Sequence, residues 1–375
     1  MPTKLVVVKV GTSSITTPEG MLDEEEMQTL TRQIAAAKKE GSRIVLVTSG
    51  AVAAGIAELG ISGNSKDIVV RQACAASGQG VLMAKYREFF KPQGVKVAQI
   101  LLTAEDLSNR NSYLHTCNVL RRLLEIGVVP IINENDVTSV DELLPLVEGY
   151  RINFSDNDLL SALVANALRA DLLIILSDVD GLYTKDPRGN PEATVVSTVE
   201  NITPELKSSL AGKGRMGRGG IQSKVRAAEI AIRSGIPVII ANSRRTNVIS
   251  DILAGKEVGT FFKPKGKMSA VKRWIAYGAS VKGQILVNEG AKNAILKEDS
   301  SLLPVGISKV TGHFNVGDVV GIAGEDRVEF ARGNPNYSSE EINVIKGMQI
   351  GDIRKMLGSA REVVPRKKMH LLGEE

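Results

Sequence analysis

Three charged residues stand where such side chains are costly unless they act on something. Lys9 lies in LVVVKV (5–10), where five of the six residues are aliphatic. The run reads as a strand buried on both faces, and a lysine inside it needs either an anionic partner or a route to water. Lys224 follows Gly217, Gly219 and Gly220 in GRGGIQSKVRAAEIAIRSG. There Ile221, Val225, Ala228 and Ile232 are spaced as the buried stripe of a helix, which puts Lys224 in the first turn. Free N–H groups and the helix dipole favour an anion at that end and disfavour a cation. A phosphate bridging the lysine and the helix end would resolve the conflict; a solvated lysine after a flexible loop is the other reading. Asp158 belongs to SDNDLLSALVANALRA, where Ser155 three residues ahead of it forms a capping box. A cap alone accounts for Ser155 and Asp158, but Asp156, Asn157 and Asp158 together are more polar equipment than one cap uses. Two lysines converging on a phosphoryl group, oriented by Asp158 while Asn157 faces the substrate, would be electrostatic phosphoryl-transfer chemistry. Against that, Lys9 could be an edge residue snorkelling to water.

Further polar groups follow other apolar runs. NENDV (133–137) sets Asn133, Glu134, Asn135 and Asp136 directly after VVPII, where carboxylates can hold an ammonium group or a metal, or simply bond the loop. TSGAVAAG (48–55) offers Ser49 and the free N–H groups of Gly50 and Ala51 at a helix start, which suits a carboxylate. GTSS (11–14) brings Gly11 and three hydroxyls beyond Lys9. There is no G-x-x-x-x-G-K-[ST] motif, and the one G-x-G-x-x-G, at Gly212, Gly214 and Gly217, follows the helix-like PELKSSLA instead of a strand. His115, His313 and His370 lie outside all these clusters, so imidazole catalysis is not expected. A carboxylate nucleophile needs none, being ionised at neutral pH.

The elements that must position these residues are legible from periodicity. Val- and Ile-rich runs at 5–10, 43–50, 95–103, 128–135, 172–178 and 237–242 alternate with helix-like stretches at 23–40, 66–90, 105–126, 156–170 and 220–234. That order predicts an α/β fold, a mainly parallel sheet with helices on both faces, with ligands gathered beyond the carboxyl ends of the strands. The texture changes near 261, where the Lys-rich FFKPKGKMSAVKRW (261–274) reads as a connector. Short apolar runs closely spaced by glycines then predict a small β-barrel-like domain over 279–360. The remainder, 361–375, reads as a charged, loosely held tail. The division expected is thus 1–260, a basic linker 261–278, 279–360 and the tail. With 375 residues, 43% hydrophobic and 24% charged, the chain suits one large and one small globular domain, not a fibre or a disordered protein. Cys74 and Cys117 lack the spacing of a metal site or redox pair, and no signal peptide or membrane-spanning run is visible, which fits a reducing cytoplasm. The net charge of +5 raises the question of nucleic acid. Residues 281–360, however, hold nine Lys and Arg against ten Asp and Glu, which is not the basic face that RNA demands.

In order and spacing, KVGTSS (9–14), TSGAVAAG (48–55), INEND (132–136), SDNDLLSALVA (155–165), SDVDGLYTKDPR (177–188) and GRGGIQSK (217–224) resemble the glutamate 5-kinases of the amino-acid kinase superfamily. The second part, with LLPVGISKVTGHFNVGDVV (302–320), looks like the PUA domain that bacterial members often carry. The resemblance implies a three-layer α/β/α sandwich followed by a PUA domain, with ATP-dependent phosphorylation of the side-chain carboxylate of L-glutamate as the first step towards proline. It implies that Lys9 and Lys224 neutralise the transferring phosphoryl group and that Asp158 organises them. Ser49, Gly50, Ala51, Asp136 and Asn157 would hold the amino acid. The nucleotide would fall to Lys9, Gly11, Ser177, Asp178 and the segment Gly217, Arg218, Gly219, Gly220, Ile221, Gln222, Ser223 and Lys224. Magnesium would travel mainly on the phosphates, with no dedicated protein site. A homo-oligomer, dimer or tetramer, open to inhibition by proline is also implied. The sequence departs from the family at Arg218, Ile221 and Ser223, where Thr, Met and Thr are usual, and at Ser155, where Gly is usual; VDELLPLVEGYRINFSDND (140–158) also exceeds the usual link. An N-acetylglutamate or aspartate kinase of the same superfamily, or an RNA-binding PUA protein, are the alternatives.

Overall fold

The computed structural model describes residues 4–61, 67–139, 156–187, 189–211, 220–266 and 268–372. They form two compact units, Met1–Ala104 with Thr116–Lys267, and Glu105–His115 with Met268–Glu375. In chain order the first half of the larger unit supplies β1 (Leu5–Val10), α1 (Glu24–Lys39), β2 (Arg43–Val47), α2 (Ala51–Glu58), α3 (Ile68–Phe90) and β3 (Val97–Leu102). Next come α4 (Ala104–Ser108) and α5 (Arg110–Glu125), whose residues 105–115 belong to the smaller unit, then β4 (Val129–Glu134), α6 (Asn157–Leu168), β5 (Leu172–Ser177) and β6 (Thr198–Val199) of the larger. The series closes with α7 (Pro204–Ala211), α8 (Ile221–Arg233), β7 (Val238–Asn242), α9 (Val248–Leu253) and β8 (Thr260–Phe262).

Eight strands make one sheet in the order β3-β4-β2-β1-β5-β7-β8-β6, all neighbours parallel except the antiparallel pair β7–β8. The mainly parallel α/β fold follows from the six apolar runs, each of which is a strand. Strand β1 lies near the centre, Lys9 level with Val47 on one side and Ile175 on the other. Side chains alternate across it. Val6, Val8 and Val10 pack into a core with Met27 and Ile34 of α1, Leu82 and Tyr86 of α3, and Val248 and Ile252 of α9. Val7 and Lys9 therefore point to the opposite face, on which α6 lies against β1 and α8 against α6. That alternation is what delivers the one lysine of β1 to the acidic start of α6.

Helices α2 and α3 meet backbone to backbone. A Cβ on Gly55 would lie 1.7 Å from the Cys74 carbonyl oxygen, and one on Gly78 would lie 2.0 Å from that of Ala51. This contact locks the loop before α2 against α3. The single helix expected over 105–126 is instead two, because the Asn109 side chain accepts the N–H groups of Asn111 and Ser112 and starts a new helix at Arg110.

In the smaller unit, β9 (Val281–Val287), β10 (Ile307–Gly312), β11 (Val319–Ala323), β12 (Glu329–Gly333) and β13 (Met369–Leu371) form a five-stranded sheet ordered β10-β9-β11-β12-β13. Two expectations are corrected here. The connector over 261–278 begins inside the first sheet, at Phe261 and Phe262 of β8, and ends in the core of the smaller unit. There Trp274 donates its indole N–H to the Leu107 carbonyl and stands beside Tyr113. The segment after 360 is not a loose tail: Val363, Val364 and Met369 are fully buried, and β13 pairs with β12. Apolar residues at these positions outweigh the charged ones between them. Among the described residues no helix is long and apolar enough to cross a membrane.

Gly78→Ala should lower the stability of the folded chain by about 1–3 kcal/mol in a urea titration, since backbone must move to admit one methyl group. Gly80→Ala, in the same helix with nothing within 4 Å of its Cβ, should be neutral or stabilising by up to about 1 kcal/mol.

Candidate active site

At the carboxyl end of β1, Lys9 is 3% exposed and its Nζ lies 2.5 Å from Asp158 Oδ1. Gly11, two residues on, leaves room for it: a Cβ there would come within 3.2 Å of the ammonium nitrogen. Asp158 sits in the first turn of α6 and has no exposed surface. Its second oxygen, Oδ2, is 3.1 Å from Nζ of Lys224, which the first turn of α8 supplies. One carboxylate thus spans two ammonium groups from opposite ends of the domain's sequence. Ser223 Oγ adds a contact of 3.0 Å to Asp158 Oδ2 and is also bonded to Asp156 Oδ2.

The cap of α6 is Asp156, whose Oδ1 accepts the Asp158 N–H at 2.9 Å. The capping box expected from Ser155 is thereby corrected, Ser155 itself lying outside the described residues. Aspartate caps as readily as serine, and capping with Asp156 leaves the Asp158 carboxylate for the two lysines. Arg218, Gly217 and Gly219 also lie outside the described residues, while Gly220 is the residue preceding α8.

Charge in this cluster is finely set. Burial works to raise the Asp158 pKa, but Lys9 and Lys224 outweigh it and hold the carboxyl below the ordinary range. Burial pushes the Lys9 ammonium below the usual lysine value, Asp158 opposing and Lys224 adding to the fall. Asp156 is pushed up, first by burial and then by the Asp158 charge beside it. A single hydroxyl hydrogen on Ser223 faces both carboxylates, so it can serve only one of them. Two buried ammonium groups face one firmly ionised carboxylate, Asp158, and a second, Asp156, whose ionisation burial disfavours, an arrangement able to receive a phosphate.

A second polar cluster meets the first through Asn157, the residue between the two aspartates. Its Nδ2 donates to Ser49 Oγ and to Asn133 Oδ1, each at 3.0 Å. Ser49 sits in a turn fixed from below by Tyr86 of α3, whose hydroxyl bonds Thr48 Oγ1 at 2.7 Å. Burial drives the Tyr86 hydroxyl well above the usual tyrosine value, so it acts as a structural group and not as an acid. Gly50 follows with φ +104°, a conformation glycine adopts without strain, and its backbone starts α2 at Ala51. Asp136 lies in the turn after β4 and lines a cleft with Glu134, Arg71 and Gln72. Glu134 is itself buried and accepts the Ser139 hydroxyl at 2.7 Å.

The remaining candidates are spread more widely. Ser177 ends β5 and donates to Asp178, which is exposed beyond it. Gln222 donates to the Leu210 carbonyl, so its side chain ties α8 to α7. Ile221 is half-buried at the start of α8. Three participants were not assigned from the sequence. In sequence Asp156 is only surplus polarity next to a cap, Asn133 is one of four polar residues in NENDV, and Gln79 belongs to a helix without a clear apolar stripe. The Asn133 contact with Gln79, at 2.9 Å, joins residues 54 positions apart, and no local spacing announces it.

A parallel sheet whose central strand carries a buried lysine to an aspartate at a helix start, with a second lysine opposite, defines a phosphoryl-transfer class of protein. Residues 4–242 match the amino acid kinase family and residues 283–357 the PUA domain, and the chain belongs to the amino acid kinase family. Within it the chain groups with the glutamate 5-kinases. It is 46% identical over 355 residues to the glutamate 5-kinase of Thermoanaerobacter sp. (strain X514), covering 94% of this chain and 93% of the relative. Identity is 43% over 357 residues to that of Pelobacter propionicus, covering 95% and 93%, and 42% over 372 residues to that of Moorella thermoacetica, covering 98% and 96%.

Asp158→Asn should destabilise the chain by about 3–5 kcal/mol at pH 7, because it leaves two buried ammonium groups facing each other. The Asp158 contribution is present above the ordinary carboxylate pKa and lost as pH falls through its depressed folded value. The gap between wild type and variant in urea titrations should therefore stay constant from about pH 7 to 5 and narrow below about pH 4.

Proposed function

We infer that this chain is an ATP-dependent glutamate 5-kinase, which moves the terminal phosphoryl group of ATP onto the γ-carboxylate of L-glutamate to give L-glutamyl 5-phosphate, the first step of proline biosynthesis. The observation that carries the reading is the bridge Lys9–Asp158–Lys224 at the carboxyl end of the central strand.

The γ-carboxylate is already ionised at neutral pH, so no general base is needed to prepare it. What opposes the reaction is repulsion between that carboxylate and the anionic phosphates. Lys9 and Lys224 offset it: held charged beside Asp158, their ammonium groups would turn towards the phosphoryl oxygens as a new oxygen–phosphorus bond forms and ADP departs with the electron pair of the broken one. Asp158 keeps both ammonium groups charged and in place before the reactants arrive. Asp156, through Ser223, braces that arrangement. The amino acid would lie along Ser49, the N–H groups of Gly50 and Ala51, Asp136 and Asn157. The nucleotide would lie against Gly11, Ser177, Asp178 and the start of α8 from Gly220 through Ser223, and we assign Gly217, Arg218 and Gly219, outside the described residues, to the same role.

Magnesium fits this donor set as an ion that arrives on the phosphates. Asp158 is spanned by two lysines and Asp156 is engaged with Ser223, which leaves fewer carboxylates than a protein-held cage uses. Bound there, the ion would neutralise phosphate charge. On the family resemblance we extend the reading to a cytoplasmic homo-oligomer that responds to proline.

Incubation with ATP, magnesium, L-glutamate and hydroxylamine should yield the glutamyl hydroxamate; product with acetylglutamate or aspartate but not glutamate would overturn the substrate assignment. Lys9→Ala and Lys224→Ala should each lower kcat by at least about 100-fold while circular dichroism shows a folded chain. A wild-type rate in either would remove that lysine from the mechanism.

A further inference from the structure

Gln79, on α3, is 8% exposed and has no place in the chemistry described so far. Its Oε1 accepts a hydrogen bond from Asn133 Nδ2 at 2.9 Å. That bond begins a chain whose direction can be worked out by counting hydrogens. With Nδ2 committed to Gln79, Asn133 Oδ1 is the acceptor, and it takes the Glu134 backbone N–H at 2.9 Å and Asn157 Nδ2 at 3.0 Å. A backbone N–H can only donate, so it fixes the same orientation of the Asn133 amide from the other side. Asn157 Nδ2 has two hydrogens, and they go to Asn133 Oδ1 and Ser49 Oγ. The oxygen of that amide, Asn157 Oδ1, is buried and has no hydrogen-bond partner among the described residues.

A buried acceptor without a donor is costly and is retained where a ligand supplies the donor. Resting on the reading of this site as one for an amino acid, we propose that Gln79 is a positioning residue for substrate selection: it anchors the amide chain Gln79–Asn133–Asn157 so that Asn157 Oδ1 is presented to the α-ammonium group of the substrate. An ammonium group donates only, so the reverse orientation of these amides, with Asn157 Nδ2 in that place, would repel it. The neighbouring Gly78 packs its backbone against the Ala51 carbonyl, two residues after Ser49, where a Cβ would lie 2.0 Å from that oxygen.

The test compares L-glutamate with glutarate, which has the same reacting carboxylate and no α-ammonium. Gln79→Met keeps the length of the side chain and removes its amide oxygen; Gln79→Glu keeps an acceptor facing Asn133 Nδ2. In the full-length chain, Gln79→Met should raise KM for L-glutamate about five- to ten-fold and lower its kcat/KM in proportion, while kcat/KM for glutarate falls less than two-fold. Gln79→Glu should restore most of the preference for glutamate. A Gln79→Met enzyme that loses both substrates in the same proportion would overturn the proposal in favour of a general packing role, as would an unaltered glutamate preference. If the wild type phosphorylates neither substrate while binding ATP, the underlying reading of the site fails, an outcome distinct from loss of selectivity in the variant.

Discussion

A single carboxylate held between two buried ammonium groups is the constraint around which this molecule is built. Asp158 has no exposed surface, and Lys9 and Lys224 are nearly as enclosed. Truncating a buried charge cluster of this kind is expensive, because it strands the remaining charges without their partners. The fold supplies the enclosure: a central parallel strand brings Lys9, and two helices from separate βα units bring Asp158 and Lys224. None of the three lies on a loop. Positions held by regular elements keep the charges preorganised, so that little reorganisation is left for the moment of reaction.

Around that cluster the polar groups have an order of their own. Asp156 caps the helix and so leaves Asp158 unencumbered, while Asn157, on the turn between them, reaches the other way towards Ser49 and Asn133. One helical turn therefore joins two polar clusters, the Lys9–Asp158–Lys224 bridge and the Ser49–Asn133–Asn157 group, which we propose receive the phosphoryl group and the amino acid. The close packing of α2 on α3 holds the second half in place, and Tyr86 supports it from beneath through Thr48.

Much of this was legible in the sequence, for physical reasons that differ from residue to residue. The six apolar runs are strands because short, Val- and Ile-rich stretches bounded by turn residues suit a sheet covered on both faces, whereas the longer Leu- and Ala-rich run of α6 is a buried helix. Lys9 announced itself by breaking one of those runs, and Lys224 by standing where the helix dipole disfavours a cation. What local pattern could not reveal was pairing across the fold. Ser155 looks like the cap in sequence because serine and aspartate compete on nearly equal terms there, and only the bond from the Asp158 N–H to Asp156 Oδ1 decides between them. Gln79 carries no signal in sequence, since one glutamine in a long helix is ordinary. The short strands Thr198–Val199 and Thr260–Phe262 were missed because their lengths, two and three residues, are below what periodicity resolves. The residues after 360 were misjudged for a similar reason: two valines and a methionine among lysines and arginines look solvated until a sheet edge is there to receive them.

The central claim is that both ammonium groups meet the phosphoryl group in flight. The most direct measurement is a crystal structure of the chain with ADP, magnesium, aluminium fluoride and L-glutamate. The account predicts Nζ of Lys9 and Nζ of Lys224 each within hydrogen-bond distance of the fluoride group, with Asp158 still between them. A complex in which either ammonium stays turned wholly onto Asp158, out of contact with the fluoride, would contradict it.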